Sequence, residues 1–177
     1  KFMQSRRMYW NDIRCGVSRL GYTGEDGFEV LIFAEAAEAF ARALLDDPRV
    51  APIGLGARDS LRLEAGLCLY GNDLTPDIDP VSADLSWVIQ KSRRVRADFP
   101  GAHKILDALE TGTPQKRVGI QPLERAPARE GTIVLKNGES IGRITSGGFG
   151  PSVDRPVAMG YVDTAFAVPG TQVELEQ

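Results

Sequence analysis

Apolar, β-prone runs predict strands near the start of the chain. Ile13 to Leu20 (IRCGVSRL) and Phe28 to Phe33 (FEVLIF) contain β-branched and aromatic residues, and the glycine-rich stretch Gly21 to Gly27 separates them. We therefore predict a strand, a turn and a second strand over residues 13–33.

Three later segments have the spacing of apolar residues or the end signals that predict helices. Apolar residues recur at i, i+3, i+4 and i+7 in the first of three predicted helices, and Pro48 ends it. In the second, Arg58 and Arg62 are one turn apart and are predicted to point the same way, while Gly66 suits the C′ position. The three predicted helices are Ala34 to Asp47, Leu55 to Ala65 and Ala102 to Glu110.

The pattern changes after Gly112-Thr113-Pro114. Short β-prone runs divided by turn residues predict a small sandwich or barrel, and Asn137-Gly138 suits a type I′ hairpin turn. We therefore predict one domain over residues 1–113 and a β-domain over residues 114–177. The predicted strands are Arg117 to Gln121, Thr132 to Lys136, Glu139 to Thr145, Val157 to Val162 and Gln172 to Glu176.

Composition narrows the classes of function. The 177 residues carry a formal charge of -3, which argues against non-specific electrostatic binding of nucleic acid. No apolar run approaches the roughly 20 residues that span a bilayer, so a soluble, intracellular protein without a membrane partner is predicted. Cys15 and Cys68 lack CxxC spacing and His103 is the single histidine, so no metal site is predicted.

The turn Gly21 to Gly27 and the glutamate after it are the first candidate site. A phosphate loop is disfavoured because the turn leads into a strand and contains two acids, which leaves a tight, solvated turn as the simple alternative. Glu29 lies in an apolar run, where burial of its charge needs a hydrogen-bonding partner. Its carboxylate could accept two parallel hydrogen bonds from the amino-pyrimidinone edge of a pterin.

Arg58 and Trp87 each have two interpretations. Arg58 could hold a ligand carboxylate through two hydrogen bonds, or form an ion pair with Asp59 or Glu64. Trp87 could stack on a flat ring, or belong to the core with its apolar neighbours.

A cationic run, Lys91 to Arg96 (KSRRVR), places four positive charges within six residues. Such a run is often a solvated face, but it could also meet an acidic partner protein or the anionic tail of a ligand.

Three strings of residues resemble segments of one enzyme family, in the same order. They are SRLGYTGEDGFEV (Ser18 to Val30), GARDSLRLEAGLCLYGNDL (Gly56 to Leu74) and VAMGYV (Val157 to Val162). The chain resembles the C-terminal portion of aminomethyltransferase, the T-protein of the glycine cleavage system. The resemblance implies an α+β fold: part of a folate-binding α/β domain with an antiparallel sheet and packed helices, followed by a small Greek-key-like β-barrel.

The resemblance also implies an activity. The family transfers the one-carbon unit from the aminomethyl group on the lipoyl arm of the H-protein to tetrahydrofolate, its co-substrate, and releases ammonia without a metal. By position, Glu29 resembles the family's pterin-binding acid and Arg58 the arginine near the benzoyl-glutamate part of folate. Trp87 resembles, less specifically, a tryptophan that contacts the ring.

Two family residues have no counterpart here. The catalytic aspartate would precede Lys1, so no catalytic residue is predicted in this chain, and a folate-contacting tyrosine would follow Gln177. We therefore expect a fragment with little transferase activity alone. The alternatives are the folate-binding domain of a dimethylglycine or sarcosine type of demethylating enzyme, and a non-catalytic folate-binding module. The predicted compartment is bacterial cytoplasm, with the mitochondrial matrix as the alternative.

Overall fold

The chain divides into two units. The computed structural model describes residues 1–176, and its first unit is Lys1–Leu67 while the second begins at Cys68. The domain boundary predicted between residues 113 and 114 stays a prediction. Within the described residues, no helix is both long enough and apolar enough to cross a membrane.

The first unit contains a three-stranded antiparallel sheet in the order β1-β2-β3 and two helices. The strands β2 and β3 and both helices were predicted, whereas β1 was not. Asn11 and Asp12, both at positive φ, make the tight turn that joins β1 to β2. The elements are β1 (Ser5–Trp10), β2 (Ile13–Ser18), β3 (Glu29–Leu31), α1 (Ala34–Leu45) and α2 (Leu55–Glu64).

The sheet of the first unit has one covered face and one open face. On the covered face, the ring of Trp10 meets Phe40 of α1 edge-on, with 5.4 Å between ring centroids, and Cys15 is buried. Residues opposite each other in register share a face, so the other face carries Ser5, Ser18 and Glu29 in one row. We call this second face the open face, because Tyr9 and Leu31 are exposed there; its members are Ser5, Arg7, Tyr9, Arg14, Gly16, Ser18, Glu29 and Leu31.

The end of α2 has the predicted glycine cap. Gly66 has φ +71, and the N–H groups of Leu67 and Gly66 donate to the carbonyls of Arg62 and Leu63 at 2.8 and 3.0 Å. The prediction that Arg58 and Arg62 point the same way stays a prediction, because both lie in the regular helix α2 and the structure shows a difference only in their exposure and partners. Arg62 is only 2% exposed and binds Asp59 at 2.6 Å, whereas Arg58 is exposed.

The second unit combines short helices with a five-stranded antiparallel sheet in the order β4-β7-β6-β5-β8. The predicted type I′ turn is confirmed, because Asn137 and Gly138 both have positive φ and join β5 to β6 in register. The elements are α3 (Lys91–Arg96), α4 (Ala102–Thr111), β4 (Gln115–Ile120), β5 (Ile133–Lys136), β6 (Glu139–Gly150), β7 (Arg155–Asp163) and β8 (Glu174–Glu176), with 3₁₀ turns at Ser86–Val88 and Thr164–Phe166.

The core of the second unit lies on one side of this sheet. All five strands predicted after residue 114 are present. The strand β6 extends five residues beyond its predicted end at Thr145, across an irregularity between Ile144 and Ser146. The predicted α+β class with antiparallel sheets and packed helices is therefore confirmed. The buried core residues are Ala128, Val134, Ile141, Ile144, Ala158 and Val162.

A buried carboxylate joins the loop after Cys68 to the sheet of the second unit. Asp73 is 0% exposed, and its carboxylate accepts hydrogen bonds from Leu69 N and Ser146 Oγ at 2.8 Å each and from Thr145 Oγ1. Its carbonyl accepts the hydroxyl of Tyr161 at 2.8 Å, and burial raises the pKa of Tyr161 to about 12. The buried oxygens of the Asp73 carboxylate are thus all close to hydrogen-bond donors of the protein.

Candidate functional site

The glycine-rich turn after β2 lies against the C-terminal end of α2. Gly24 has φ +76, and a Cβ at this position would lie 2.4 Å from the Cβ of Ala65. A side chain at Gly24 would therefore require both a disfavoured backbone and a shift of the helix end. The close approach fixes the turn against the helix that carries Arg58.

One of the two acids in the turn is already paired. The Nε and Nη2 atoms of Arg19 donate to the two carboxylate oxygens of Asp26 at 2.7 and 2.6 Å. Hydrogen bonding from Arg19 lowers the pKa of Asp26 below its ordinary value. Glu25 is exposed, and its backbone N–H donates to Thr23 Oγ1 at 3.3 Å. The turn has the geometry of a tight, solvated turn with an internal ion pair.

Arg58 is held by an aromatic ring. Its guanidinium carbon lies 4.8 Å from the ring centroid of Tyr22, within the range of a cation–π contact. Asp59, one of the two predicted ion-pair partners, is bound by Arg62 instead. A guanidinium stacked in this way keeps its in-plane N–H donors available for a carboxylate.

Glu29 lies at the start of β3, on the open face. It is exposed, so the predicted burial cost is wrong: strand alternation sends Val30 to the covered face and Glu29 to the uncovered one. Its partner in register is Ser18, whose Oγ lies 2.8 Å from Ser5 Oγ. The carboxylate is accessible to a ligand with paired donors.

Trp87 belongs to the second unit, in the 3₁₀ turn Ser86–Val88. Its side chain is 75% exposed, so the interpretation as a core residue is wrong. An exposed indole can stack on a flat ring.

Two arginines that the sequence did not single out also lie on the open face. Arg7 and Arg14 line a cavity of about 340 Å³ together with Leu31, the last residue of β3, and with Ile32 and Phe33, which follow it. Glu29 shares this face, two residues before Leu31. The sequence did not indicate that Arg7 and Arg14 share a face, because β1, which carries Arg7, was not predicted. Tyr22 was missed as well, since only the fold brings its ring beneath Arg58.

The structure therefore brings two of the three predicted site residues into one unit. Glu29 follows the turn Gly21 to Gly27 in the chain, and Arg58 stacks on Tyr22 of the same turn. A carboxylate and a guanidinium held by one turn can bind a ligand with a donor edge and an anionic group.

Comparison with known proteins identifies the family of the chain. Residues 1–93 match the family model described as the GCVT N-terminal domain, and residues 115–177 match the glycine cleavage T-protein C-terminal barrel domain. The chain is 47% identical over 176 residues to a probable mitochondrial aminomethyltransferase of Schizosaccharomyces pombe, covering 99% of this chain and 45% of that protein. The mitochondrial aminomethyltransferase of Dictyostelium discoideum is also 47% identical, over 184 residues, with the same two coverages.

A solved structure gives the same result. The crystal structure of glycine cleavage system aminomethyltransferase T from Bartonella henselae superimposes with a TM-score of 0.94 at 50% identity, covering 99% of this chain and 48% of that chain. The chain thus spans less than half the length of the relatives it matches. On the sequence, the fold and both family models, the chain belongs to the aminomethyltransferase family of glycine cleavage T-proteins.

Proposed function

We propose that this chain is the folate-holding part of an aminomethyltransferase of the glycine cleavage system. The observation that carries the proposal is the pair of exposed, oppositely charged side chains, Glu29 and Arg58, associated with one rigid turn. Membership of the family supports tetrahydrofolate as the co-substrate, and the proposed reaction uses no metal.

The donor and acceptor groups match the two ends of this co-substrate. The Glu29 carboxylate is suited to accept two N–H groups from the pterin edge, and the Arg58 guanidinium to donate to the carboxylates of the benzoyl-glutamate part. Neither the Glu29 carboxylate nor the Arg58 guanidinium needs to be buried before the co-substrate binds. Trp87, as a contact to the ring, stays a prediction that rests on the resemblance.

In the proposed reaction, an aminomethyl group carried on the lipoyl arm of the H-protein gives its one-carbon unit to tetrahydrofolate, and ammonia is released. Glu29 and Arg58 contribute by binding and orienting the acceptor, which is a large share of catalysis when two substrates must meet. No residue of this chain is assigned as the catalytic aspartate. The named relatives favour this transferase over a demethylating enzyme or a non-catalytic folate-binding module.

The compartment follows from the relatives only indirectly. The proteins of Schizosaccharomyces pombe and Dictyostelium discoideum are named as mitochondrial. Their names favour the mitochondrial matrix for a eukaryotic source, and the prediction of bacterial cytoplasm has gained no support.

Calorimetric titration with tetrahydrofolate tests the proposal. We expect saturable binding by the chain, weakened about 10- to 100-fold by Glu29→Gln and by Arg58→Ala, since each loses charged hydrogen bonds of about 1.5–3 kcal/mol. Glu25→Gln and Arg42→Ala are matched controls at exposed positions and should leave the affinity within about twofold.

Circular dichroism would establish that each variant is folded. Binding that is equally strong in the Glu29 and Arg58 variants, or no binding by the folded wild-type chain, would contradict the proposed site.

A further inference from the structure

An ion pair closes the base of the segment between β2 and β3. Arg19 directly follows Ser18, the last residue of β2, and Asp26 lies three residues before Glu29, the first residue of β3. The Nε and Nη2 atoms of Arg19 donate to Oδ1 and Oδ2 of Asp26 at 2.7 and 2.6 Å. We call Arg19 and Asp26 the turn clamp, because they join the two ends of this segment.

The backbone of Arg19 is itself held by the chain that leads into β1. The N–H of Arg19 donates to the carbonyl of Gln4 at 3.0 Å, and its carbonyl accepts the N–H of Met3 at 2.9 Å. These bonds continue the antiparallel pairing of β1 and β2 by one step beyond Ser5 and Ser18. The turn clamp therefore attaches Asp26 to a part of the chain whose backbone is already hydrogen-bonded.

The middle of the same turn is attached to α2 at two other points. Tyr22 lies beneath the guanidinium of Arg58, 4.8 Å from its carbon, and a Cβ at Gly24 would lie 2.4 Å from the Cβ of Ala65. The turn thus connects the strand that begins with Glu29 to the helix that carries Arg58. Its conformation affects where Glu29 lies relative to Arg58.

The turn clamp contributes geometry rather than stability. The side chains of Arg19 and Asp26 are 43% and 60% exposed, and exposed ion pairs add little to the free energy of unfolding. Two parallel hydrogen bonds from a planar guanidinium nevertheless fix the orientation of a carboxylate. A segment that is held before the ligand arrives loses less conformational entropy when the ligand binds.

Charge neutralisation is the competing explanation for this pair. Glu25, Asp26 and Glu29 place three acids within five residues, so a cation at residue 19 also reduces the local negative charge. Any cation at this position would do so. Lysine carries the same charge as arginine but lacks the planar, two-point geometry, and a lysine variant therefore distinguishes positioning from neutralisation.

We infer, resting on the proposed function, that Arg19 and Asp26 are positioning residues for folate binding. The turn clamp holds the chain before β3 so that the Glu29 carboxylate is in place for the donor edge of the ligand. Neither Arg19 nor Asp26 is assigned a contact with the ligand. Their effect on affinity acts through Glu29.

A double-mutant cycle tests whether the turn clamp acts through Glu29. Tetrahydrofolate would be titrated calorimetrically into the wild-type chain, Asp26→Asn, Glu29→Gln and the double variant. We expect Asp26→Asn to weaken affinity about 5- to 10-fold in the wild-type background and less than about twofold in the Glu29→Gln background. A purely structural effect would be the same in both backgrounds.

Three further variants complete the experiment. Arg19→Lys should weaken affinity about as much as Asp26→Asn, since it keeps the charge and loses the two-point contact. Glu25→Gln makes the same charge change in the same turn and should leave affinity within about twofold. Glu38→Gln breaks an equally exposed ion pair, to Arg42 at 2.8 Å on α1, and should also leave affinity within about twofold.

The outcomes separate this inference from the proposed function. Weaker binding by Asp26→Asn and Arg19→Lys that disappears in the Glu29→Gln background supports the inference. Full affinity in Asp26→Asn or Arg19→Lys, or an equal loss in both backgrounds, overturns it, while weaker binding by Glu29→Gln leaves the proposed function standing. No binding by the folded wild-type chain overturns both. Loss of the fold in Asp26→Asn, detected by circular dichroism, also overturns the inference, because the pair would then stabilise the whole unit.

Discussion

Single residues determine the geometry of the proposed folate site. Glu29 is accessible because strand alternation places it opposite Ser18 on the open face, and Arg58 is positioned because Tyr22 lies beneath its guanidinium. Both depend on the turn between Gly21 and Gly27, which contacts α2 at Gly24.

Substitution of Gly24 by alanine is expected to damage stability and binding together. Its Cβ would meet Ala65 and its φ of +76 is disfavoured for alanine, so unfolding free energy should fall by about 1–3 kcal/mol. Gly27→Ala is the control, because no other atom lies within 4 Å of its Cβ and its φ is not in the left-handed region. Urea denaturation and a folate titration would measure both effects; equal behaviour of the two variants would refute the role of the contact.

The sequence predicted the identity of these residues better than their surroundings. The glycines of the turn and the cap at Gly66 are visible in the sequence because backbone conformation restricts the residue type. The exposure of Glu29 is not visible, since alternation reveals two faces of a strand but not which face another element covers. For the same reason Trp87 could not be separated from the core by its apolar neighbours.

At the scale of elements, predictions succeeded where the pattern was apolar and failed where it was polar. The helix α1 and the strands β2 and β7 follow from their spacing. In contrast, β1 has the polar sequence SRRMYW and is a strand because it pairs with β2 in register over six residues. The helix α3 is equally polar, and Arg94 stabilises it through contacts that no local pattern reveals.

The segment before β4 contains an acid-sensitive cap. Asp79 Oδ1 accepts the N–H groups of Val81 and Ser82 at 2.9 Å each, and the Ser82 carbonyl accepts the N–H of Arg117 on β4 at 2.8 Å. Burial acts to raise the pKa of Asp79, but the hydrogen bonds from Ser82 and Val81 outweigh it, so the pKa lies below its ordinary 3.8. The ionised carboxylate therefore stabilises the folded state at pH values above 3.8.

We expect this stabilisation to be lost as the pH falls through the lowered pKa of Asp79. Asp79→Asn keeps an acceptor oxygen but removes the charge, and should cost about 1–2 kcal/mol at about pH 6. The difference from wild type should shrink as the pH falls below the ordinary value of 3.8 and towards the lowered pKa. Urea unfolding at several pH values would show it, and a difference that stays constant with pH would exclude the carboxylate as its source.

At the scale of the whole molecule, binding and chemistry are expected to separate. The chain spans less than half of its relatives' length, and none of its residues is assigned as the catalytic aspartate. A protein can retain ligand affinity when the group that stabilises the transition state is missing.

With aminomethylated H-protein and tetrahydrofolate, this chain should release ammonia at least about 100-fold more slowly than a full-length relative. The Glu29→Gln variant gives the background rate. Ammonia release by this chain at a rate comparable to the full-length enzyme would show that the catalytic group lies within these residues.

The placement of the two tryptophans gives each unit its own optical reporter. Trp10 is half-buried against Phe40 in the first unit, while Trp87 is exposed to water in the second. The emission of Trp87 should lie at longer wavelength and be quenched readily by iodide, whereas the emission of Trp10 should be quenched less. Fluorescence from single-tryptophan variants, Trp10→Phe and Trp87→Phe, would therefore follow the unfolding of each unit separately in the same chain.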